Sequence, residues 1–311
     1  MTHLARLLFL LLLAAGSLAA AEKPLRVVAL HSVLAEIARE VGGDRASVIA
    51  LVPAGVDPHT FDPSAADIRT VADADLVLAA GLHLETYLDR LAANAGTRSR
   101  LVPVGEALPL VLSLPTSAAH THAAHERQNL SAAGEPDPHW WHSIDNVLFA
   151  SDLVRIELAR LRPNQAEAFA RNTQAYQQRL FALKAWAARE VARIPSARRH
   201  LVTSHDAFGY LARDWGFTVH PLAGLSTESE PDAKHLAHLI DFIRRERIPA
   251  VFAEGSVNPK LAQNLSRETG ARLGSPLYAD GFGPIGSNGS NYEAMMRHNI
   301  GAIVGALAPR K

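Results

Sequence analysis

The sequence predicts an α/β protein of two lobes, each with a central, mostly parallel sheet flanked by helices, joined by one long rigid linker helix. Two observations lead to this fold class. Short apolar runs alternate with amphipathic helical segments, a pattern typical of parallel sheets covered by helices, and the alternation occurs twice along the chain. Between the two sets lies a long helical stretch whose apolar residues recur at helical spacing.

The chain begins with a segment typical of a secretory signal. Arg6 precedes the apolar run LLFLLLLAAG, and the small residues AAA stand before Glu22. This run is too short to span a bilayer comfortably, and no other stretch approaches that length. We therefore predict that residues 1–21 are a cleaved signal peptide and that, in a bacterium, the mature chain lies in the periplasm.

The composition limits the kinds of protein that the chain can be. It contains no cysteine, so it has no disulfide, no thiolate metal ligand and no N-terminal cysteine to carry a lipid anchor. The formal net charge is zero, which gives no electrostatic reason to expect a nucleic-acid partner. We expect a soluble, monomeric protein that is held together by an ordinary apolar core.

The N-terminal lobe is predicted over residues 22–162. Four apolar runs in it are predicted to be buried strands, at 25–30, 47–52, 75–80 and 100–105. Helical segments such as SVLAEIAREVG and LETYLDRLAANAG lie between them, and Gly96 ends the second. The segment 113–136 is rich in Ala, Ser, His and Gly without an apolar period, so we predict a mobile surface loop there.

The linker helix is predicted over residues 163–194, after a break at Pro163. A rigid rod of about 40 Å, at roughly 1.5 Å per residue, predicts small movement between the lobes. The C-terminal lobe, predicted over residues 195–311, restarts the alternation, with strands at 200–205, 217–222, 249–255 and 275–279 and helices between them.

Two histidines follow the dipeptide Asp-Pro: His59 in GVDPHTF and His139 in EPDPHWW. Proline fixes its own φ and disfavours helix at the preceding residue, so each histidine emerges from a stiff turn and loses little freedom on binding a metal. Asp-Pro is also a common turn opener, so one copy alone carries little weight. Two copies, each followed by aromatic residues that could exclude water, favour metal ligands.

His205 and Asp280 each lie just beyond a predicted strand, where open α/β sheets bind their ligands. Each also has an ordinary structural interpretation: His205 could begin a helix that Asp206 caps, and Asp280 could form a turn with the following glycine. Taken with the two Asp-Pro-His histidines, they would supply three imidazole nitrogens and one carboxylate oxygen. That set suits a borderline divalent metal, with zinc as the first choice.

Several longer segments occur in the order seen in the metal-binding proteins of bacterial ABC importers: VDPHTFDPS, DPHWW, LVTSHDAFGYLARDWGF, GLSTESEPDAKHL, FAEGSVNPKLAQNLSRETGARL and LYADGFG. The chain resembles the periplasmic zinc-binding, ZnuA/AztC-type branch of this family over essentially its whole mature length. The resemblance implies two α/β lobes joined by one long helix, high-affinity binding of Zn(II) as the transported substrate, and delivery to a cognate ABC permease. It implies the metal ligands His59, His139, His205 and Asp280.

The metal and the partners follow from the same resemblance. In manganese-type members the third ligand is a glutamate, so an imidazole at His205 makes manganese the less favoured metal. A metal-dependent adhesin or a periplasmic zinc chaperone on the same fold is the alternative function, and a zinc chaperone is also a candidate partner. Many zinc-type members carry a loop dense in histidines and acids, whereas this chain has His120, His122 and His125 with few acids. A low-affinity accessory zinc site and a solvated loop are both open there.

An enzyme is the rival class. The segment HTHAAH is similar to a metallo-hydrolase signature in which a metal-bound water attacks the substrate, but that signature requires an aspartate where this chain has Ala124. A tetrahedral site with four protein ligands also leaves no position for an activated water, so we expect no enzymatic activity.

Other polar residues near the predicted site are expected to support it. Asp57, Asp137 and Glu254 are candidates to accept the second ring N–H of a ligating imidazole. His31 and His83 lie near strand ends and are predicted to be structural.

Overall fold

The computed structural model describes residues 22–96, 100–115, 128–129, 134–229, 232–255 and 258–309. The predicted signal peptide, residues 1–21, and the three loop histidines His120, His122 and His125 lie outside these ranges. Within them, no helix combines the length and the apolar character needed to cross a membrane.

The N-terminal lobe is built on a parallel four-stranded sheet with the strand order β2-β1-β3-β4. Its strands and helices are β1 (Leu25–Ala29), α1 (Ser32–Gly42), β2 (Ala46–Ala50), α2 (Ala65–Ala72), β3 (Leu76–Ala79), α3 (Leu88–Ala95) and β4 (Arg100–Pro103). Apart from the exposed Arg26 near the start of β1, the central strands β1 and β3 are apolar and buried because helices cover both sides of the sheet. A strand occurs at each of the four positions predicted for this lobe. Burial is confirmed only for β1 and β3, because β2 and β4 lie at the edges of the sheet and are partly exposed.

The segment predicted to be a mobile loop, 113–136, begins and ends in β-structure. The strand β5 (Leu112–Pro115) pairs antiparallel with β6 (Gln128–Asn129) and with β7 (Gly134–Pro136). The prediction is therefore wrong at both ends of the segment. These strands have only two to four residues each, which is too short to show an apolar period. A distant side chain fixes them instead, since the Tyr210 hydroxyl accepts from the Leu112 amide (3.0 Å) and donates to the Asp137 carbonyl (3.2 Å).

Two long helices follow, α4 (Ile144–Leu161) and α5 (Ala166–Val191). The helical structure is interrupted between them at Pro163. The helix α5 has 26 residues and spans about 39 Å. One face of it is buried, and that face carries the apolar residues that the spacing predicted: Phe169, Tyr176, Leu180, Leu183, Ala187 and Val191. It is the long helix between the lobes, and the predicted fold class is confirmed.

The C-terminal lobe repeats the topology of the first. Its elements are β8 (His200–Thr203), α6 (Gly209–Trp215), β9 (Thr218–Pro221), α7 (Ala233–Glu246), β10 (Ala250–Val251), α8 (Lys260–Thr269), β11 (Arg272–Leu273) and α9 (Tyr292–Leu307). The parallel sheet has the order β11-β10-β8-β9, so in both lobes the first strand lies between the second and the third. The strand order reverses at this point, which is where open α/β sheets leave a crevice for ligands.

One predicted strand of this lobe is wrong. The segment 275–279 forms a single bridge, Leu277 with Glu254, and the outer strand is β11 instead. Pro276 has no backbone N–H, so this segment cannot continue a ladder of hydrogen bonds. Since this segment leaves the sheet, the chain after it turns toward the N-terminal lobe and places Asp280 in the crevice.

One apolar core runs through both lobes. Buried residues of α1, α5, α6 and α9 and of both inner sheet faces form a single cluster, which includes Leu34, Leu183, Phe208, Phe252 and Ile300. Two smaller clusters fill the outer faces of the sheets. Separation of the lobes would expose the shared core to water, so the fold favours small movements between them.

The shared core predicts that the two lobes unfold together. We expect Leu180→Ala, at a fully buried position of α5, to lower the free energy of unfolding by about 2–5 kcal/mol and to shift one common transition. The next residue supplies the control, because Phe181 is 57% exposed and Phe181→Ala should change that free energy by at most about 0.5 kcal/mol. Urea denaturation, followed by tryptophan fluorescence and circular dichroism, measures both. Two separate transitions in the parent chain would contradict the prediction.

Candidate metal centre

Four side chains converge in the crevice between the lobes: His59, His139, His205 and Asp280. They are the four residues predicted as metal ligands. One potential ligand atom from each lies within 4.8 Å of the other three, and no other such group of three or more occurs in the described ranges. His59 is 9% exposed, and the other three are still more deeply buried.

Four of the six separations between these atoms are close to those of a tetrahedral metal site. The Nε2 atoms of His59 and His139 are 3.2 Å apart, and Nε2 of His205 lies 3.1 Å from Oδ1 of Asp280. The same oxygen is 3.4 Å from Nε2 of His59 and 3.6 Å from Nε2 of His139. Ligand bonds of about 2.0–2.1 Å in tetrahedral geometry place neighbouring ligand atoms about 3.3 Å apart. The cluster therefore has room for one small cation at its centre.

The two Asp-Pro-His turns are closed by the same hydrogen bond. Oδ1 of Asp57 accepts from the backbone amide of His59 (2.9 Å), and Oδ1 of Asp137 accepts from that of His139 (3.0 Å). An aspartate that accepts from the amide two residues later forms a compact turn of its own, and the intervening proline stiffens it. In both places the Asp-Pro-His tripeptide therefore forms a stiff turn that holds the imidazole in a defined position on a loop.

Carboxylates orient two of the imidazoles. Oδ1 of Asp137 also accepts from Nδ1 of His139 (2.9 Å), and Glu254 accepts from Nδ1 of His205. With Nδ1 protonated, Nε2 of each ring presents its lone pair to the centre of the cluster. The predicted roles of Asp137 and Glu254 are confirmed.

Glu254 also joins the ends of two strands. It lies just beyond β10, and its Oε1 accepts from the amides of Ser204 (2.9 Å) and His205 (3.2 Å), just beyond β8. His205 thus stands in a turn held by a carboxylate, whereas α6 begins only at Gly209. The interpretation of His205 as the start of a helix capped by Asp206 is wrong.

The prediction for Asp57 is also wrong in its detail. Its Oδ1 serves the backbone amide of His59, and its Oδ2 accepts from the hydroxyl of Thr227 (2.7 Å), which belongs to the other lobe. Both carboxylate oxygens are thus engaged by groups other than the imidazole ring.

A layer of buried rings supports the backbone at Asp280. His31 caps α1 by accepting from the Val33 amide at Nδ1, and its Nε2 donates to the Asp280 carbonyl (3.2 Å). Its ring stacks on Trp141 at 4.1 Å. Trp141 and His142 each donate a ring N–H to the Ala279 carbonyl (2.9 Å).

The structure also shows the roles of the histidines outside the cluster of four. The structural role predicted for His31 is confirmed. His83 is exposed, at a positive φ of 65°, and contributes no atom to the cluster. His142 was missed, although its position directly after the tryptophan pair that follows His139 was the available signal.

The buried charges shift the pKa values of the cluster in opposite directions. Burial alone would raise the pKa of Asp280, but the charge of His205 and hydrogen bonds from all three imidazoles hold it well below its ordinary value. Burial alone would lower the pKa of His205, but Glu254 and Asp280 raise it well above the ordinary value. The pKa of His139 is raised in the same way, because its hydrogen bonds to Asp137 and Asp280 outweigh the effect of burial. A cation is therefore stabilised at the centre, and in the metal-free protein protons take that role.

Two neighbouring imidazoles behave in the opposite way. Burial lowers the pKa of His31 to about 4 and that of His142 to about 3. Both rings are thus neutral at physiological pH and act as hydrogen-bond donors to the backbone that carries Asp280. The site consequently separates charged from neutral histidines within a few ångströms.

The family described as "Zinc-uptake complex component A periplasmic" matches residues 27–306 of the chain. The chain belongs to this family. It is 35% identical to the manganese-binding lipoprotein MntA of Bacillus subtilis over 292 residues, which are 92% of this chain and 91% of the relative. It is likewise 35% identical to the zinc-binding protein TroA of Treponema pallidum over 295 residues, which are 93% of this chain and 91% of the relative.

The structural comparison agrees with the family assignment. The solved structure of periplasmic zinc-binding protein TroA superposes with a TM-score of 0.80 at 34% identity and covers 93% of this chain and 100% of that one. The chain is accordingly a metal-binding, substrate-binding protein of the ABC importer class and not an enzyme. Because its relatives are named for manganese or for zinc, family membership does not decide the metal.

The pKa shifts predict how the histidines titrate in the metal-free protein. We expect the Cε1–H resonance of His205 to remain in its charged position at pH 7, because its pKa lies well above the ordinary value of about 6.5. The resonances of His31 and His142 should stay in the neutral position down to about pH 5, since their pKa values are lowered to about 4 and about 3. Proton NMR of chelator-treated protein measures both, with His205→Gln as the assignment control. Titration of His205 near pH 6.5 would contradict the geometry.

Proposed function

We propose that the chain binds Zn(II) with high affinity and delivers it to the permease of an ABC importer. The observation that supports this most directly is the closed set of three imidazole nitrogens and one carboxylate oxygen at tetrahedral spacing. His59, His139, His205 and Asp280 would each form one bond to the ion. Four protein ligands complete the coordination of zinc, which suits retention of the ion.

Zinc fits this donor set better than manganese does. Zn(II) accepts tetrahedral coordination by imidazole and carboxylate, whereas Mn(II) favours octahedral sites rich in oxygen ligands. The set has one carboxylate, and the carboxylates of Asp137 and Glu254 are turned to the far side of the rings, where they accept N–H bonds. Manganese remains the second candidate, because MntA carries that name.

Binding is expected to exchange protons for the metal. Zinc requires the Nε2 lone pairs of the three imidazoles, so protons held by His139 and His205 must leave as the ion arrives. Asp280 is already ionised and supplies negative charge, while Asp137 and Glu254 keep the ring orientation during the exchange. The bound ion has no position left for an activated water, which is consistent with transport and not with catalysis.

We further propose that the mature protein lies in the periplasm without a lipid anchor. The support is the N-terminal signal-like segment and the absence of cysteine, although MntA is named a lipoprotein.

We also propose a low-affinity accessory zinc site at His120, His122 and His125. An adhesin or a zinc chaperone on this fold is the alternative function, and neighbouring genes for a permease and an ATPase would favour the importer.

The test of the proposed function is zinc binding as a function of pH. We expect one tightly bound zinc per chain at pH 7.5. We also expect the affinity to fall by at least about tenfold per pH unit on going to pH 5.5, because each imidazole with a raised pKa must release a proton. Competition with a chromophoric chelator measures it, and Asp280→Asn should weaken binding at both pH values. An affinity that is equal at the two pH values would remove these histidines from the ligand set.

The identity of the third ligand should govern the choice of metal. We expect His205→Glu to lower the zinc-to-manganese affinity ratio by at least about tenfold, because a harder carboxylate replaces an imidazole. His238→Glu is the matched control, since His238 is exposed on α7 of the same lobe. Competition binding of the two metals measures the ratio. The same ratio in both variants would show that His205 does not contact the metal.

A further inference from the structure

The loop that carries His59 is tied to the opposite lobe at two points. This loop, residues 55–59, follows β2 of the N-terminal lobe. At one point the amide of Gly55 donates to the carbonyl of Phe282 (2.7 Å), two residues after Asp280. At the other point the hydroxyl of Thr227 donates to Oδ2 of Asp57 (2.7 Å). Neither tie uses one of the four metal-ligating atoms.

The tie through Gly55 is built into the backbone. Gly55 has a φ of +85°, in the left-handed region, and a Cβ there would lie 3.2 Å from Cγ of Pro284. Only glycine suits this position, and no side-chain substitution would remove the hydrogen bond alone. Thr227 is different, because its bond is made by a hydroxyl that can be deleted without changing the shape of the side chain.

The tie through Thr227 acts directly on a metal ligand. The Asp57 carboxylate bonds the Thr227 hydroxyl with one oxygen and the His59 amide with the other (2.9 Å). A group on the C-terminal lobe is therefore connected through a single carboxylate to the backbone of a histidine from the N-terminal lobe. Hydrogen bonds to a charged acceptor are stronger than those between neutral groups.

We propose that Thr227 is a positioning residue that holds His59 in the metal-binding position from across the crevice and thereby slows release of the ion. The proposal rests on the proposed function and adds to it the group that sets the residence time. The shared core keeps the lobes together, so release requires a movement of the ligand loops. Such a movement breaks the bond between Asp57 and Thr227 but leaves the rest of the fold in place. The bond thus stabilises the closed arrangement relative to the open one.

The test measures zinc release from the loaded, full-length mature protein. A chelator in excess captures the ion, and stopped-flow absorbance gives the dissociation rate. We expect Thr227→Val to raise this rate about tenfold, which corresponds to about 1.4 kcal/mol. Thr227→Ser keeps the hydroxyl and should restore a rate within about twofold of the parent. Ser226→Ala is the matched control, because the Ser226 hydroxyl accepts from the Glu228 amide within the same loop (3.2 Å), and its loss should leave the rate unchanged.

A double-mutant cycle separates positioning from a general effect on the loop. If Thr227 acts through Asp57, adding Thr227→Val to Asp57→Ala should leave the rate of the single Asp57 variant unchanged. An equal acceleration in both backgrounds would overturn the proposal. So would release from Thr227→Val at the parental rate, or failure of Thr227→Ser to restore it. Failure of the parent chain to retain zinc at all would instead overturn the proposed function, and that result is obtained before any variant is made.

Discussion

The interaction on which the site depends is the sharing of one buried carboxylate by three imidazoles. Asp280 is 6% exposed, and its Oδ1 lies 3.1–3.6 Å from Nε2 of all three histidines. A buried anion without a partner would cost several kcal/mol, so the cluster requires positive charge at its centre. In the metal-free protein that charge can only be protons on the rings. A divalent cation supplies it better, since it satisfies all four donor atoms at once and lets each ring keep a single proton, on the nitrogen that faces away. The site therefore favours a cation because the fold buries the negative charge of Asp280, and a bound cation neutralises that charge.

The repeated topology explains why these groups meet. Each lobe places its first strand between its second and third, so each opens a crevice at the carboxyl ends of its strands. The lobes face one another across this edge, with His59 following β2 and His205 following β8. Neither lobe alone has enough ligands. The layer formed by His31, Trp141 and His142 then fixes the backbone at residues 279 and 280, which makes the position of Asp280 a property of both lobes.

Local sequence predicted most of the elements and the four residues that converge in the crevice, and it failed where distant contacts decide. The N-terminal sheet, most of the C-terminal sheet and the buried face of α5 follow from apolar periodicity. The four converging residues follow from the repeated Asp-Pro-His tripeptide and from polar residues placed near the ends of predicted strands. The strands β5 to β7 could not be predicted, because Tyr210, from the other lobe, holds them in place. The role of Asp57 was misassigned for a related reason. Proximity in sequence suggested the His59 ring as its partner, whereas Thr227, remote in the chain, takes one of its oxygens.

A transport protein must hold its ion and then give it up, and this fold places the two requirements on different parts of the structure. The continuous core makes large separation of the lobes costly, so retention does not depend on a hinge that swings freely. On the proposal made above, release depends on loops, which are joined to the opposite lobe by a few hydrogen bonds, such as those of Gly55 and Asp57. A few such bonds can be broken by contacts with a partner, because each contributes only about 1–3 kcal/mol. A docking partner that competes for these bonds could therefore open the site without unfolding either lobe, and the residence time of the ion would be set at the rim of the crevice.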